Sequence, residues 1–312
     1  MYYVNVSSVQ DFEQCRYRWL CKWVLNRVPR KEAEALALGK AIHLIFEHHF
    51  RDGRELVESA HTQREAIRML LAGGFYKPWE VETAKKVITA LTNIQEAWPL
   101  WQDKYPMDVP VLEVEEPFEI AFPQLPNVIF RGRPDRVCIM NGLVWHVQNR
   151  GLASNMNFAT YSRLAKRHKH EHLYAEHLAV KYAKDGEYGG TLFNLVRKLK
   201  FRTYVGKKNE KVRTAEEMFW QHPMSISLKS QQHKDVMRDL FYHVAEMQRV
   251  EHEFFEYGLT PAPNDKLNGG FNGSSEDPYF KLLIREIDLH DDNWFKNRED
   301  TYAVADAGEG GD

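Results

Sequence analysis

Between Phe130 and Ala153 the chain reads FRGRPDRVCIMNGLVWHVQNRGLA, two runs of β-favouring residues on either side of Asn141-Gly142. That dipeptide accepts the left-handed backbone angles of a tight turn, so the stretch is predicted to fold as a hairpin of two short strands. Its arms face each other, with Pro134-Asp135 on the first and Gln148-Asn149-Arg150 on the second. With these groups on one side of the hairpin, a carboxylate, an amide oxygen and a cation converge.

Hard oxygen ligands of this kind suit magnesium, which keeps several waters and is held by one or two carboxylates plus a substrate phosphate. A neighbouring cation then stabilises the charge that develops during hydrolysis of a phosphodiester. In these residues the sequence resembles the PD-(D/E)XK nuclease superfamily, in particular its RecB-like exonuclease branch. Pro134-Asp135 is a literal PD, and Gln148-Asn149-Arg150 stands where that family has (D/E)XK. The second half departs from the pattern. Gln148 offers a carbonyl oxygen without the negative charge, and Arg150 keeps the positive charge of the usual lysine but does not give up a proton in a protein.

Other elements of the resemblance lie on either side. Gly39 and His43 match a G-x-x-x-H element on an early helix, whose histidine approaches the catalytic metal in RecB-like nucleases; read alone, His43 is an ordinary core or surface histidine. His170 and Tyr174 match a Q-x-x-x-Y element imperfectly, the glutamine position being histidine; one helical turn apart, they would face the same side, where the resemblance implies contact with a DNA phosphate or base. The same segment fails as a zinc-protease HExxH, because the second histidine position is Tyr174. From Val111 to Phe122 a strand-like alternation carries Glu113, Glu115 and Glu116. The resemblance puts a glutamate on the strand before PD and makes Glu116 a candidate, against the plainer reading of a solvated edge strand.

Net charge is −2, so any nucleic-acid surface is a local patch rather than a property of the whole molecule. The densest patch runs through Arg197, Lys198, Lys200, Arg202, Lys207 and Lys208, with Phe201 and Tyr204 interleaved. Most charge runs are solvated faces; this one, following the hairpin, is the best candidate for a DNA track. The three cysteines, Cys15, Cys21 and Cys138, do not make an even disulfide framework. RecB-like relatives with an iron–sulfur cluster use one early and three late cysteines; nothing after Cys138 supplies the late thiolates, so no cluster is expected. No apolar run approaches the roughly 20 residues of a membrane span and no signal-peptide pattern opens the chain, which together point to the cytoplasm.

Periodicity predicts a capped amphipathic helix over Ser7 to Leu25, with Ser7 or Ser8 as the cap, helical runs over Ala33 to Phe50 and over Glu58 to Tyr105 with breaks at Ala72-Gly73-Gly74 and near Pro78, one or two helices over Asn155 to Ala183, and a long helix over Ser230 to Tyr257. A strand is predicted over Gly189 to Leu199. The resemblance implies an α/β fold, a restriction-endonuclease-like core with a mixed central sheet flanked by helices. Residues 1–290 are expected to form one domain, with a helical insertion at about 51–108 and an acidic, disordered tail over 291–312. The resemblance implies a Mg2+- or Mn2+-dependent deoxyribonuclease, an exonuclease of DNA processing or phage-type recombination, working with DNA and with recombination or replication proteins. His43, Asp135 and Gln148 would hold the metal and Arg150 would stabilise the transition state. The alternative is a nuclease-fold protein with impaired chemistry that binds DNA or a protein.

Overall fold

A computed structural model of the protein describes residues 1–29, 34–74, 78–100, 109–152, 161, 168–197, 219–261, 289–290 and 295–297. In chain order the strands are β1 (Tyr2–Asn5), β2 (Arg27–Pro29), β3 (Val111–Val114), β4 (Phe118–Ala121), β5 (Val128–Gly132), β6 (Arg136–Met140), β7 (Leu143–Leu152), β8 (Glu187–Arg197), β9 (Phe219–Ser225) and β10 (Phe295–Asn297). The α-helices are α1 (Val6–Gln14), α2 (Arg16–Trp19), α3 (Glu34–Asp52), α4 (Leu56–Ala72), α5 (Pro78–Ala97), α6 (Lys169–Lys181) and α7 (Gln231–Tyr257). None of the described helices is long and apolar enough to cross a membrane. The three cysteines are free and buried.

The chain divides into two compact units, each made of separate segments. One comprises Met1–Arg30, Pro117–Gly132 and Met237–Asp312; the other comprises Lys31–Glu116 and Arg133–Val236. In the first, β5 pairs parallel with β1 and antiparallel with β4. The apolar stripe of α7 (Met237, Leu240, Val244, Met247, Val250) recurs every three or four residues and is buried, as are Val9, Phe12 and Trp19 of the N-terminal helices.

The predicted single helix over Ser7 to Leu25 is interrupted. Asn5, rather than Ser7 or Ser8, caps α1, its side-chain oxygen accepting the Ser8 amide at 2.8 Å. Cys15 then turns to extended backbone, and the chain resumes as α2 and a π-turn over Leu20–Val24. The break lets Phe12 and Trp19 meet edge to face at 5.0 Å.

The second unit holds a mixed five-stranded sheet in the order β3-β6-β7-β8-β9, in which only β7 and β8 run parallel. The predicted hairpin is β6–β7. Asn141 and Gly142 take φ of 53° and 74° at its turn, and the ladder runs from Met140–Leu143 to Arg136–Val147. Helix α3 packs with α4 and α5 around Ile42, Ile45, Phe46, Leu56, Leu91 and Trp98, a core that Val196 of β8 joins. It also lays Phe50 under the Arg136 guanidinium, 3.5 Å from the ring centroid. Helix α6 meets the sheet through His146, Glu171 and Tyr188. Arg136, directly across from Val147, meets α3, whereas His146 meets α6; consecutive strand residues point to opposite faces, so α3 and α6 cover opposite sides of the sheet. The mixed sheet and its flanking helices agree with the α/β expectation.

Candidate metal centre

Asp135 sits one residue before β6, at the open end of the hairpin. One of its oxygens, Oδ2, accepts the backbone N–H of Asn149 at 2.5 Å, which ties the carboxylate to the second arm. The other, Oδ1, lies 3.4 Å from Nδ1 of His43, carried there by α3. Glu115, just past the end of β3, completes the group: its Oε1 is 3.7 Å from the same His43 nitrogen. Its backbone has a left-handed φ of 52°, and its N–H donates to the Asp135 carbonyl at 3.2 Å. The ligating atoms of His43, Glu115 and Asp135 all lie within 4.8 Å of one another.

The charges of this group are interdependent. The negative charge of Asp135 raises His43 to a pKa of about 10, against a smaller opposing effect of burial. Burial pushes Asp135 up, but the His43 charge, its hydrogen bond, Arg150 and the Asn149 amide together hold it below its ordinary value. Glu115 is raised, burial being the largest cause and the neighbouring His43 and Arg133 a partial counterweight. Two carboxylates and an imidazole offer the donors of a Mn2+ or Mg2+ site completed by water. The residues therefore fit such an ion, which His43, Glu115 and Asp135 would hold with His43 in its deprotonated form.

Gln148 falls directly across from Asp135 if the β6–β7 register is continued one step past Arg136–Val147. It is buried, and strand alternation puts His146, Gln148 and Arg150 on one face. The Arg150 guanidinium lies close enough to Tyr161 to act on it electrostatically, and its charge acts on both Asp135 and His43. Behind it lies a buried polar group. His146 Nε2 is 2.6 Å from Oε2 of Glu171, His146 Nδ1 is 2.7 Å from the Tyr188 hydroxyl, and Thr191 donates to Glu171 at 3.0 Å. Burial would raise Glu171, yet the His146 bond and the charges of His146 and Arg150 hold it at about 2.

The remaining expected site residues are placed less directly. Tyr174 is buried, and its hydroxyl donates to the Arg133 carbonyl at 3.2 Å, two residues before Asp135. Its ring stands edge-on to His146 at 5.0 Å and tilted to His170 at 6.3 Å. His170 is held neutral, burial driving its pKa down to about 3. Arg197 ends β8, but its side chain lies outside the described residues, as do Lys198, Lys200, Arg202, Lys207 and Lys208. Residues 262–288 and the chain beyond Asn297 lie outside them too.

The glutamate beside Asp135 is Glu115, not Glu116, the one that the resemblance made a candidate. Glu113 is bound to Lys181 and to the Tyr182 hydroxyl, and Glu116 is exposed. Strand alternation could not have picked Glu115, because the register between β3 and β6 shifts between Val111 and Glu113 and Glu115 has left the strand.

A model of the PD-(D/E)XK nuclease superfamily matches residues 3–148. The match covers just under half of the chain; it contains His43, Glu115 and Asp135, reaches Gln148, and stops before Arg150. No curated protein matches the chain.

Proposed function

We propose that this chain, matched over residues 3–148 by the PD-(D/E)XK nuclease superfamily, is a metal-dependent nuclease of that superfamily. The observation that carries the reading is the gathering of His43, Glu115 and Asp135 at the open end of the hairpin whose second arm bears Gln148 and Arg150. When bound, a divalent ion supplies Lewis-acid charge to the phosphoryl oxygens and lowers the pKa of a water. The chain's own part is to place the groups. Asp135 and Glu115 provide charged oxygens, His43 provides a nitrogen, Gln148 adds a neutral oxygen, and Arg150 stabilises the negative charge of the transition state. Tyr174 holds the Arg133 carbonyl and so fixes the strand that delivers Asp135.

The finer reading is a deoxyribonuclease of the RecB-like exonuclease branch, acting on DNA ends in recombination or related processing in the cytoplasm. The basic run through Lys198, Lys200, Arg202, Lys207 and Lys208 would serve as its sequence-independent track. Labelled linear and circular DNA incubated with Mg2+ or Mn2+ tests this. Degradation of the linear form, abolished by Asp135→Ala, is the expected result; intact DNA under all conditions would reject the activity.

A second reading is favoured by the neutral amide at 148 and the permanently protonated cation at 150: a nuclease fold with weakened chemistry that binds DNA. A large gain in cleavage from Gln148→Glu combined with Arg150→Lys would mark the natural site as weakened.

A further inference from the structure

Arg133 belongs to none of the sequence motifs, yet it stands at the candidate metal centre. Its Nε lies 3.0 Å from Oε2 of Glu115, the oxygen other than the one facing His43. Its side chain is 43% exposed, while that of Glu115 is 8% exposed, so the guanidinium reaches from the buried carboxylate towards solvent. Its backbone is fixed. The Tyr174 hydroxyl holds its carbonyl, and the buried Pro134 that follows locks its own φ and confines Arg133 to extended conformations.

The two arginines of the site are placed differently. Arg150 is enclosed by charges and hydroxyls, with Tyr161, Glu171, Asp135 and Tyr174 all acting on it. Arg133 commits Nε to Glu115 and carries four further N–H donors on a flat fork, the geometry that recognises phosphate oxygens. Oε1 of Glu115 faces His43, on the side where an ion would sit, so the ion and Arg133 use different oxygens of one carboxylate.

We propose that Arg133 binds a backbone phosphate beside the one being cleaved, with Glu115 setting its direction. Glu115 then links the metal centre to the substrate strand: one oxygen serves the ion and the other aims the cation at DNA. The inference rests on the nuclease reading and assigns Arg133 a role that the motifs do not.

The test measures DNA binding apart from cleavage. Fluorescence anisotropy of a labelled oligonucleotide duplex is followed across a salt series, with Ca2+ in place of Mg2+ and gels run to verify that the DNA stays intact. Arg133→Ala is expected to weaken binding about tenfold and to lower the slope of log K against log salt by about one, while Arg133→Lys keeps the slope. Titration calorimetry with Mn2+ and no DNA is expected to give affinities for Arg133→Ala within about threefold of the parent, short of the 10–100-fold loss typical of a residue that orients a metal ligand. An unchanged salt slope overturns the proposal, and if it comes with a tenfold loss of Mn2+ affinity, Arg133 is instead a support for the metal site. A parent protein that cuts DNA while Arg133→Ala leaves the slope intact removes only this inference; a parent that neither binds nor cuts DNA removes the nuclease reading with it.

Discussion

The carboxylate of Glu115 faces His43 through one oxygen and Arg133 through the other, while its burial opposes ionisation. Replacing it by glutamine keeps the shape and removes the charge. Glu115→Gln is expected to lower metal-dependent cleavage by at least about 100-fold, roughly 2.7 kcal/mol of transition-state stabilisation, and to weaken Mn2+ binding in calorimetry. Glu171 gives a pH prediction. Its folded pKa of about 2 lies below its ordinary 4.5, so its contribution to stability is complete above pH 4.5 and is lost as pH falls towards 2. Urea unfolding of the parent is expected to lose up to about 3 kcal/mol across that window, and Glu171→Gln to flatten the loss. At this scale the sequence made Asp135 and His43 legible, because each sits in a spaced motif. Glu115 stood beside Glu116, the glutamate the resemblance pointed to, and its selection depended on a strand irregularity and a left-handed backbone that no pattern announces. Glu171 is hidden for another reason: in the sequence it is only the middle of a failed HExxH, and its low pKa comes from the His146 bond and the charges of His146 and Arg150, against burial.

Among the elements, the hairpin was the most legible, since Asn141-Gly142 states its turn and alternation states its arms. The edge strand β9 was not anticipated. Its sequence, FWQHPMS, contains Pro223, which reads as a strand breaker but is tolerated at the border of a sheet, where among the described residues β9 pairs only with β8. Opposite it, Gly190 has a φ of 137°, and a Cβ there would lie 2.2 Å from the Met224 carbonyl oxygen. Gly190→Ala is therefore expected to cost about 2–4 kcal/mol in denaturant unfolding, through strain and displacement of β9. Tyr174→Phe removes one hydrogen bond to the chain before Asp135. It should lower stability by about 1 kcal/mol, with a loss of cleavage larger than the loss of DNA binding. Binding and rate falling in equal measure would speak for a direct DNA contact.

For the molecule as a whole, an ion that binds only the folded chain must raise the unfolding temperature. Mn2+ at about 100 times its Kd adds about 2.7 kcal/mol, and the rise seen by scanning calorimetry is expected to vanish in Asp135→Ala. The α/β class was readable from the alternation of strand and helix periods and from the chain order of the motif residues. The assembly of the units was not, because it depends on which distant segments pair: β1 joins β5 across more than a hundred residues, while Pro117–Gly132 and Arg133–Val236, neighbours in sequence, fall in different units. The backbone passes from one unit to the other after Arg30, Glu116, Gly132 and Val236. Such interlacing means that no single cut of the gene yields either unit whole, and a protease that nicks one crossing leaves fragments still clasped by their shared sheets until a denaturant parts them.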